Sequence, residues 1–298
     1  MSRYGRNAYE TLKTNKLAPK KRFGQNFLVH RQTAEAIVRA GGVTAEDIIL
    51  EVGVGLGALT LPLAIVAKHV YGYEIDSGII RFHQEQDDLP DNVTLVHQDI
   101  LKADFQEIAG RCGGKLKILA NLPYSISNPF IFTLIDNADV IDTATVMLQK
   151  EVAERLVAQP KSKEYGVPTI LLASCASVKK VMTLKPSEFH PKPKVDSVVV
   201  TIDFGTRAEL PDDVKQYNYQ IFKRIVKATF NQRRKTIQNT LSGAGLFGTA
   251  ISSDKRRNKE YTMQTIERAG LQPNARPETL AFTEVIMLAA EVEMTRTA

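Results

Sequence analysis

Asn121-Leu122-Pro123-Tyr124 places two hydrogen-bond acceptors, a rigid imide and an aromatic ring within one short turn. That set suits alkylation of an aromatic amine. The exocyclic amine of a purine has its lone pair delocalised into the ring and is a weak nucleophile. An acceptor from the Asn121 side chain and another from the Leu122 carbonyl would bind the amine hydrogens and aim the lone pair at an electrophilic methyl, making positioning the main catalytic device. Pro123 stiffens the backbone that carries the acceptors, and Tyr124 offers a ring on which an extruded base can stack. Asparagine is no general base near neutral pH, so in this chemistry the proton leaves only after the methyl has arrived. Alone, the tetrapeptide reads equally well as a turn after a strand, because Asn and Pro are common turn formers.

Three further segments precede it in an order that carries meaning. Glu51-Val52-Gly53-Val54-Gly55-Leu56-Gly57-Ala58 stands where a strand turns into a helix, and its glycines let backbone approach a ligand closely. Glu74 closes the next strand and can accept hydrogen bonds from ribose hydroxyls. These residues fit a nucleotide-like cofactor without choosing between NAD and S-adenosylmethionine. Asp99, in Gln98-Asp99-Ile100, puts a carboxylate at the carboxyl edge of a third strand, where it can take an adenine amino group or simply cap a helix. Gly53, Glu74 and Asp99 in this order complete the series of glycine loop, ribose acid and adenine acid usual in methyltransferases. A dehydrogenase would also need a proton-handling residue near its hydride, and the sequence offers no evident candidate. Downstream, Phe189-His190-Pro191-Lys192-Pro193-Lys194 is a stiff loop whose Phe189 could form the other wall of a base sandwich, with Lys192 and Lys194 near phosphates. The same loop is equally a buried anchor, and His190, without partners at metal-ligand spacing, reads as structural.

The elements that must position these residues alternate. Strands are expected at 48–52, 70–74, 93–96, 117–120 and 144–148, with helices at 58–67, 77–86, 130–135 and 151–158 between and after them, which implies a parallel sheet covered on both faces. Runs 178–184 and 197–204 are joined by a loop and suggest a closing antiparallel pair, giving a mostly parallel seven-stranded sheet. After Gly205 helical patterns take over: Ile221, Phe222, Ile225, Val226, Phe230 and Ile237 are spaced to share one helix face. The reading is therefore a basic mobile arm over 1–20, an α/β domain over 21–205 and a small all-helical domain over 206–298.

Charge follows this division. The net charge of +6 splits into +6 over residues 1–25, −5 over 26–205 and +5 over 206–298, as for a neutral-to-acidic chemical module flanked by segments able to track a phosphate backbone. Solvated surface charge would produce the same numbers. Cys112 and Cys175 are far apart with no CxxC pair, which argues against a disulfide framework and a thiolate metal site and fits a reducing cytosol. No apolar run reaches membrane-spanning length; the most apolar stretch, 166–178, contains Pro168. The N-terminus has no apolar signal-peptide core.

With Lys20-Lys21-Arg22-Phe23-Gly24-Gln25-Asn26-Phe27-Leu28 at one end and Ala228-Thr229-Phe230-Asn231-Gln232-Arg233-Arg234-Lys235-Thr236 at the other, the chain resembles the bacterial small-subunit ribosomal RNA adenine dimethyltransferases. The resemblance covers nearly the whole chain, including the glycine loop, Gln98-Asp99, N-L-P-Y and F-x-P-x-P-x-V-x-S. It implies a Rossmann-like class I methyltransferase domain with a helical C-terminal domain that recognises RNA. It further implies S-adenosylmethionine as cofactor, no metal, and dimethylation of two adjacent adenines in a hairpin loop near the 3′ end of 16S rRNA. The expected partner is 16S rRNA within immature small subunits, met by a cytoplasmic monomer with a role in late subunit assembly. Carried over by motif, Asn26, Leu28, Gly53, Gly55, Glu74, Asp99 and Asn121 contact the cofactor, and Leu122, Tyr124 and Phe189 handle the base. Lys20, Lys21, Arg22, Lys192, Lys194, Arg233, Arg234 and Lys235 are the expected RNA contacts. Ser125 and Asn128 depart from the family, which more often has Asn after the tyrosine and Ser or Thr before the proline. Two alternatives stand beside this reading. One is the related group that methylates large-subunit RNA and confers macrolide resistance, in which Ile more often replaces Leu122. The other is an RNA-binding assembly factor whose chemistry is dispensable.

Overall fold

The computed structural model describes residues 8–15, 17, 19–20, 24–206, 214, 217–247 and 254–297 and divides the chain into two compact units. The first comprises residues up to 154 together with 176–206; the second comprises 155–175 and the chain from 207 on.

In the first unit the elements run α1 (Ala8–Thr14), β1 (Phe27–Leu28), α2 (Arg31–Ala40), β2 (Ile48–Val52), α3 (Thr60–Val66), β3 (His69–Glu74), α4 (Ser77–Gln86) and β4 (Val93–His97). They continue with α5 (Phe105–Cys112), β5 (Leu116–Asn121), α6 (Ser127–Asp136), β6 (Ile141–Gln149) and α7 (Lys150–Leu156), which crosses the division between the units. After α8 (Val167–Ala173) of the second unit come β7 (Ser177–Leu184), β8 (Phe189–His190) and β9 (Ser197–Asp203). Seven strands form one sheet in the order β4-β3-β2-β5-β6-β9-β7. The pairs from β4 to β6 are parallel, and β9 runs antiparallel to both β6 and β7. The expected sheet with its closing antiparallel pair is thus present. Ile49 and Leu50 of β2 are fully buried, as a central strand covered on both faces requires. One side of the sheet packs Ile49, Val70, Leu119, Met147 and Val199 against Ala34, Ile37 and Val38 of α2 and Leu63 of α3.

Two features depart from the sequence reading. The basic arm is not structureless throughout: residues 8–14 form α1, whose Leu12 packs with Phe27 and Ile79. A seven-residue helix that, among its described side chains, buries only Thr11 and Leu12 leaves no periodic signature. Phe27–Leu28 also pairs antiparallel with Phe189–His190 in a two-stranded ribbon, joining two motifs that lie far apart in sequence.

The second unit resumes at 207, close to the expected boundary at 205, but it also takes in residues 155–175, which the sequence reading assigned to the α/β domain. Among the described residues its C-terminal helices are α9 (Tyr219–Phe230), α10 (Ile237–Ser242), α11 (Lys255–Arg268) and α12 (Phe282–Thr297). The apolar segment 166–173 includes α8, which packs on α9; Tyr165 meets Phe230 edge-on at 5.9 Å and donates its hydroxyl hydrogen to the Leu280 carbonyl at 2.8 Å. Ile237 does not share the face of α9 as its spacing suggested. The helix stops at Phe230, and Thr236 caps a new one by accepting from the Asn239 N–H.

Candidate active site

Sheet register assembles the site. Val52 lies opposite Tyr73 on one side and Ala120 on the other, so the next residues, Gly53, Glu74 and Asn121, emerge side by side at the carboxyl edge of β2, β3 and β5. Open α/β sheets bind their ligands at this edge. Gly53, Gly55 and Gly57 all have positive φ, at 80°, 55° and 81°, a region that favours glycine. The loop they form is pinned by Glu74. The Gly55 N–H donates to Glu74 Oε2 at 3.1 Å, while Oε1 accepts from the Asp76 N–H at 2.8 Å. Burial pushes the Glu74 carboxyl above its usual range, although both N–H bonds pull the other way.

The N-terminal motif lies directly on N-L-P-Y. Gly24 has φ of 62°, and a Cβ there would sit 3.3 Å from the Ser125 nitrogen and 3.4 Å from that of Tyr124. Asn26 gives its carbonyl to Asn121, whose Nδ2 donates to it at 3.2 Å. Tyr124 is half-buried; its hydroxyl pairs with Ser197 Oγ at 2.8 Å, and burial raises its pKa. Of the residues expected to meet the cofactor, Asn26, Leu28, Gly53, Gly55, Glu74 and Asn121 line a single cavity. Asp99 is not part of that lining, and its Oδ1 caps the following turn by accepting from the Leu101 N–H at 3.0 Å.

Phe189 is not an exposed ring. It is 2% exposed, packed with Leu28 and Ala34 in the core cluster, and lines a separate cavity of about 570 Å³. Its place in β8 aims the ring inward, the buried-anchor alternative for this loop. Lys192 and Lys194 are exposed. Arg234 and Lys235 are exposed too, whereas Arg233 donates to the backbone carbonyls of Lys163 at 2.9 Å and Ser162 at 3.4 Å. The Lys20 ammonium is engaged by Asp76, whose other oxygen accepts from Gln25 Nε2 at 3.0 Å. Burial alone would raise the Asp76 carboxyl, but the bonds from Lys20, Gln25 and the Gly78 N–H outweigh it and hold it below the usual range. Lys21 and Arg22 lie outside the described residues.

Glu51 was not singled out as a ligand contact by its sequence context, yet it lines the same cavity as Glu74. It is fully buried, its Oε1 accepts from Thr60 Oγ1 at 3.0 Å, and its Oε2 has no hydrogen-bond partner. Burial, opposed by the Thr60 bond and reinforced by the charge of Glu74, lifts its pKa to about 8. The one available signal was a carboxylate inside an apolar strand immediately before the glycine loop. An orphaned acidic oxygen in a cavity floored by bare glycine backbone suits a ligand that carries both a ribose and positive charge, and the residues present therefore fit S-adenosylmethionine. Among the described residues, no group of three or more His, Cys, Asp and Glu side chains could hold a metal ion, and no helix is long and apolar enough to cross a membrane.

The parallel sheet with its β6-β9-β7 antiparallel end, the glycine turn after β2 and the acid closing β3 define a Rossmann-like S-adenosylmethionine-dependent methyltransferase. A family model described as "Ribosomal RNA adenine dimethylase" matches residues 16–268, and the chain belongs to that family. It is 61% identical to the "Ribosomal RNA small subunit methyltransferase A" of Desulfotalea psychrophila, over 100% of this chain and 99% of that one. A dimethyladenosine transferase from Plasmodium falciparum superposes with a TM-score of 0.73 at 26% identity, covering 90% of this chain and 98% of the other. The 23S rRNA methyltransferase ErmE shares the fold, with a TM-score of 0.62 at 22% identity over 90% of this chain and all of that one.

Proposed function

We propose that the protein dimethylates the N6 amines of two adjacent adenines in a hairpin loop near the 3′ end of 16S rRNA, acting as a monomer on immature small subunits late in their assembly. The observation that carries the chemical part is the contact between Asn121 and Asn26. A backbone carbonyl can only accept, so the Asn121 NH2 must face Asn26 and Oδ1 is left to the substrate. An adenine amine is held by that oxygen and the Leu122 carbonyl, which accept its hydrogens and direct the lone pair away from both. S-adenosylmethionine, when bound, supplies the electrophilic methyl on its sulfonium. Glu74 takes the ribose hydroxyls, and Asp99, with Oδ1 committed to its cap, meets the adenine amine of the cofactor through Oδ2. Asn26, Leu28, Gly53 and Gly55 contribute the remaining walls. The Tyr124 ring, steadied through Ser197, is the stacking surface for the target base.

The choice of small-subunit RNA rests on the 61% identity along the full chain, since the fold is shared with a 23S rRNA enzyme. Exposed Lys192, Lys194, Arg234 and Lys235 supply the phosphate contacts in this reading. Incubating unmethylated small subunits with protein and cofactor, then mapping methylated adenines by mass spectrometry, tests it: two neighbouring dimethyladenines in 16S rRNA are expected. Modification of naked 23S rRNA alone would overturn it. An assembly role that needs no chemistry would show as rescue of subunit maturation by Asn121→Ala.

A further inference from the structure

His83, on α4, is a buried histidine with an oxygen at each ring nitrogen. Nε2 lies 2.8 Å from the Gly55 carbonyl oxygen and Nδ1 lies 2.7 Å from Asp88 Oδ1. Its side chain is 1% exposed and that of Asp88 14%. The carbonyl cannot donate, so Nε2 carries a hydrogen. Nδ1 faces the Asp88 carboxylate, which orients the ring from its other side. A histidine so enclosed does more than fill space, because the group it grips belongs to the cofactor loop.

Gly55 is held from both sides. Its N–H is bound by Glu74 at 3.1 Å and its carbonyl by His83, with the left-handed turn at φ 55° between them. Gly57, two residues on, is also left-handed, and His83 Cε1 would lie 3.7 Å from a Cβ placed there. Gly55 has no Cβ, so on its side the Gly55–Leu56 peptide meets little steric resistance to rotation. Its orientation therefore depends on outside partners, and His83 supplies the one on the carbonyl side.

We propose that His83, steadied by Asp88, is a positioning residue for cofactor binding: it holds the Gly55–Leu56 peptide so that the glycine turn and the Gly55–Glu74 bond are formed before the cofactor arrives. The proposal rests on the methyltransferase reading and is independent of which adenine is modified.

The test is calorimetry of S-adenosylhomocysteine binding to the full chain, beside RNA affinity, apo-protein melting and the KM for S-adenosylmethionine. His83→Leu fills the same space without a donor. It should weaken S-adenosylhomocysteine by up to roughly tenfold, the size expected for losing one buried hydrogen bond. The loss should fall on the cofactor KM more than on kcat, with RNA affinity unchanged. His83→Gln, whose amide can donate to the Gly55 carbonyl, should recover most of the affinity. If His83→Leu melts lower yet binds S-adenosylhomocysteine like the wild type, the residue is only structural and the proposal is wrong. A wild type that does not bind S-adenosylhomocysteine overturns the methyltransferase reading along with it. Ring ¹⁵N shifts of the unaltered protein give a second measurement should the Leu variant not fold. A hydrogen on Nε2 is the expected signature, and an unprotonated Nε2 would overturn the proposal.

Discussion

Asn121 Nδ2 donates to the backbone carbonyl of Asn26 across 3.2 Å, which ties the N-terminal motif to the N-L-P-Y turn and fixes which end of the Asn121 amide faces Asn26. Asn26 is itself oriented by its own side chain, which donates from Nδ2 to the Gly24 carbonyl at 3.1 Å. Two segments 95 residues apart are thus joined by one amide–carbonyl bond.

Asn121→Asp separates shape from polarity at this contact. The carboxylate is nearly isosteric, but either of its oxygens would confront the Asn26 carbonyl, and two acceptors at that distance repel. The side chain must turn away, taking the substrate acceptor with it. Single-turnover methyl transfer should fall by ~10²-fold or more, the scale for misplacing a reacting group by about 1 Å. RNA binding by gel shift should persist. Retained activity would mean that the Asn26 contact does not set the acceptor.

Gly24→Ala tests the same coupling from the other side. The new Cβ would face the Ser125 nitrogen at 3.3 Å in a backbone of φ 62°. Both neighbours are main chain and cannot swing aside as a flexible side chain would. A left-handed alanine costs about 1–2 kcal/mol before the crowding is counted. The expected result is a lower melting temperature together with slower methyl transfer, read by calorimetric melting and initial rates.

The seven strands were legible because most are short runs rich in apolar and β-branched residues, and α4 was expected at its observed limits, 77–86. The row of Gly53, Glu74 and Asn121 was legible too, since parallel strands of similar length place the residues following them at one edge. What sequence could not supply were contacts with no local period. The Phe27–Leu28 ribbon is two residues long, and the segment 155–175 joins helices that begin some 45 residues later. Phe189 was expected as a base platform because its loop is rich in proline and lysine, but pairing with β1 sets its direction, and that pairing is long-range. His83 gave no signal, because the Gly55 carbonyl it grips lies 28 residues before it.

Lys20 offers a sharp contrast between two roles. The sequence places it in a basic run and suggests a phosphate contact, whereas its ammonium is on Asp76, beside the backbone N–H that supports Glu74. If its work lies there, Lys20→Ala should weaken S-adenosylhomocysteine binding and leave the salt dependence of RNA affinity unchanged. Each lysine that does meet a phosphate contributes about one unit to that slope. A slope reduced by Lys20→Ala with intact cofactor affinity would return the residue to the RNA. Lys192→Ala and Lys194→Ala are the positive controls for the slope.

Glu51 gives the apo protein a distinct pH response. Its carboxyl titrates near 8 when folded, well above the ordinary value of 4.5, mainly because burial disfavours the charged form. The folded state therefore holds a proton that the unfolded chain has released between these two values. Stability from this group is complete below about pH 4.5 and is lost as pH rises toward 8, a change of order a few kcal/mol. Glu51→Gln cannot ionise, so denaturant midpoints of the variant should stay flatter from pH 5 to 8 and exceed the wild type at the upper end. The cationic cofactor reverses the preference, because positive charge in the cavity favours the carboxylate. Binding of S-adenosylmethionine at pH 7 should accordingly release protons, seen as a calorimetric enthalpy that varies with the ionisation heat of the buffer. That variation should shrink in Glu51→Gln; equal proton release from the two proteins would place the titrating group elsewhere.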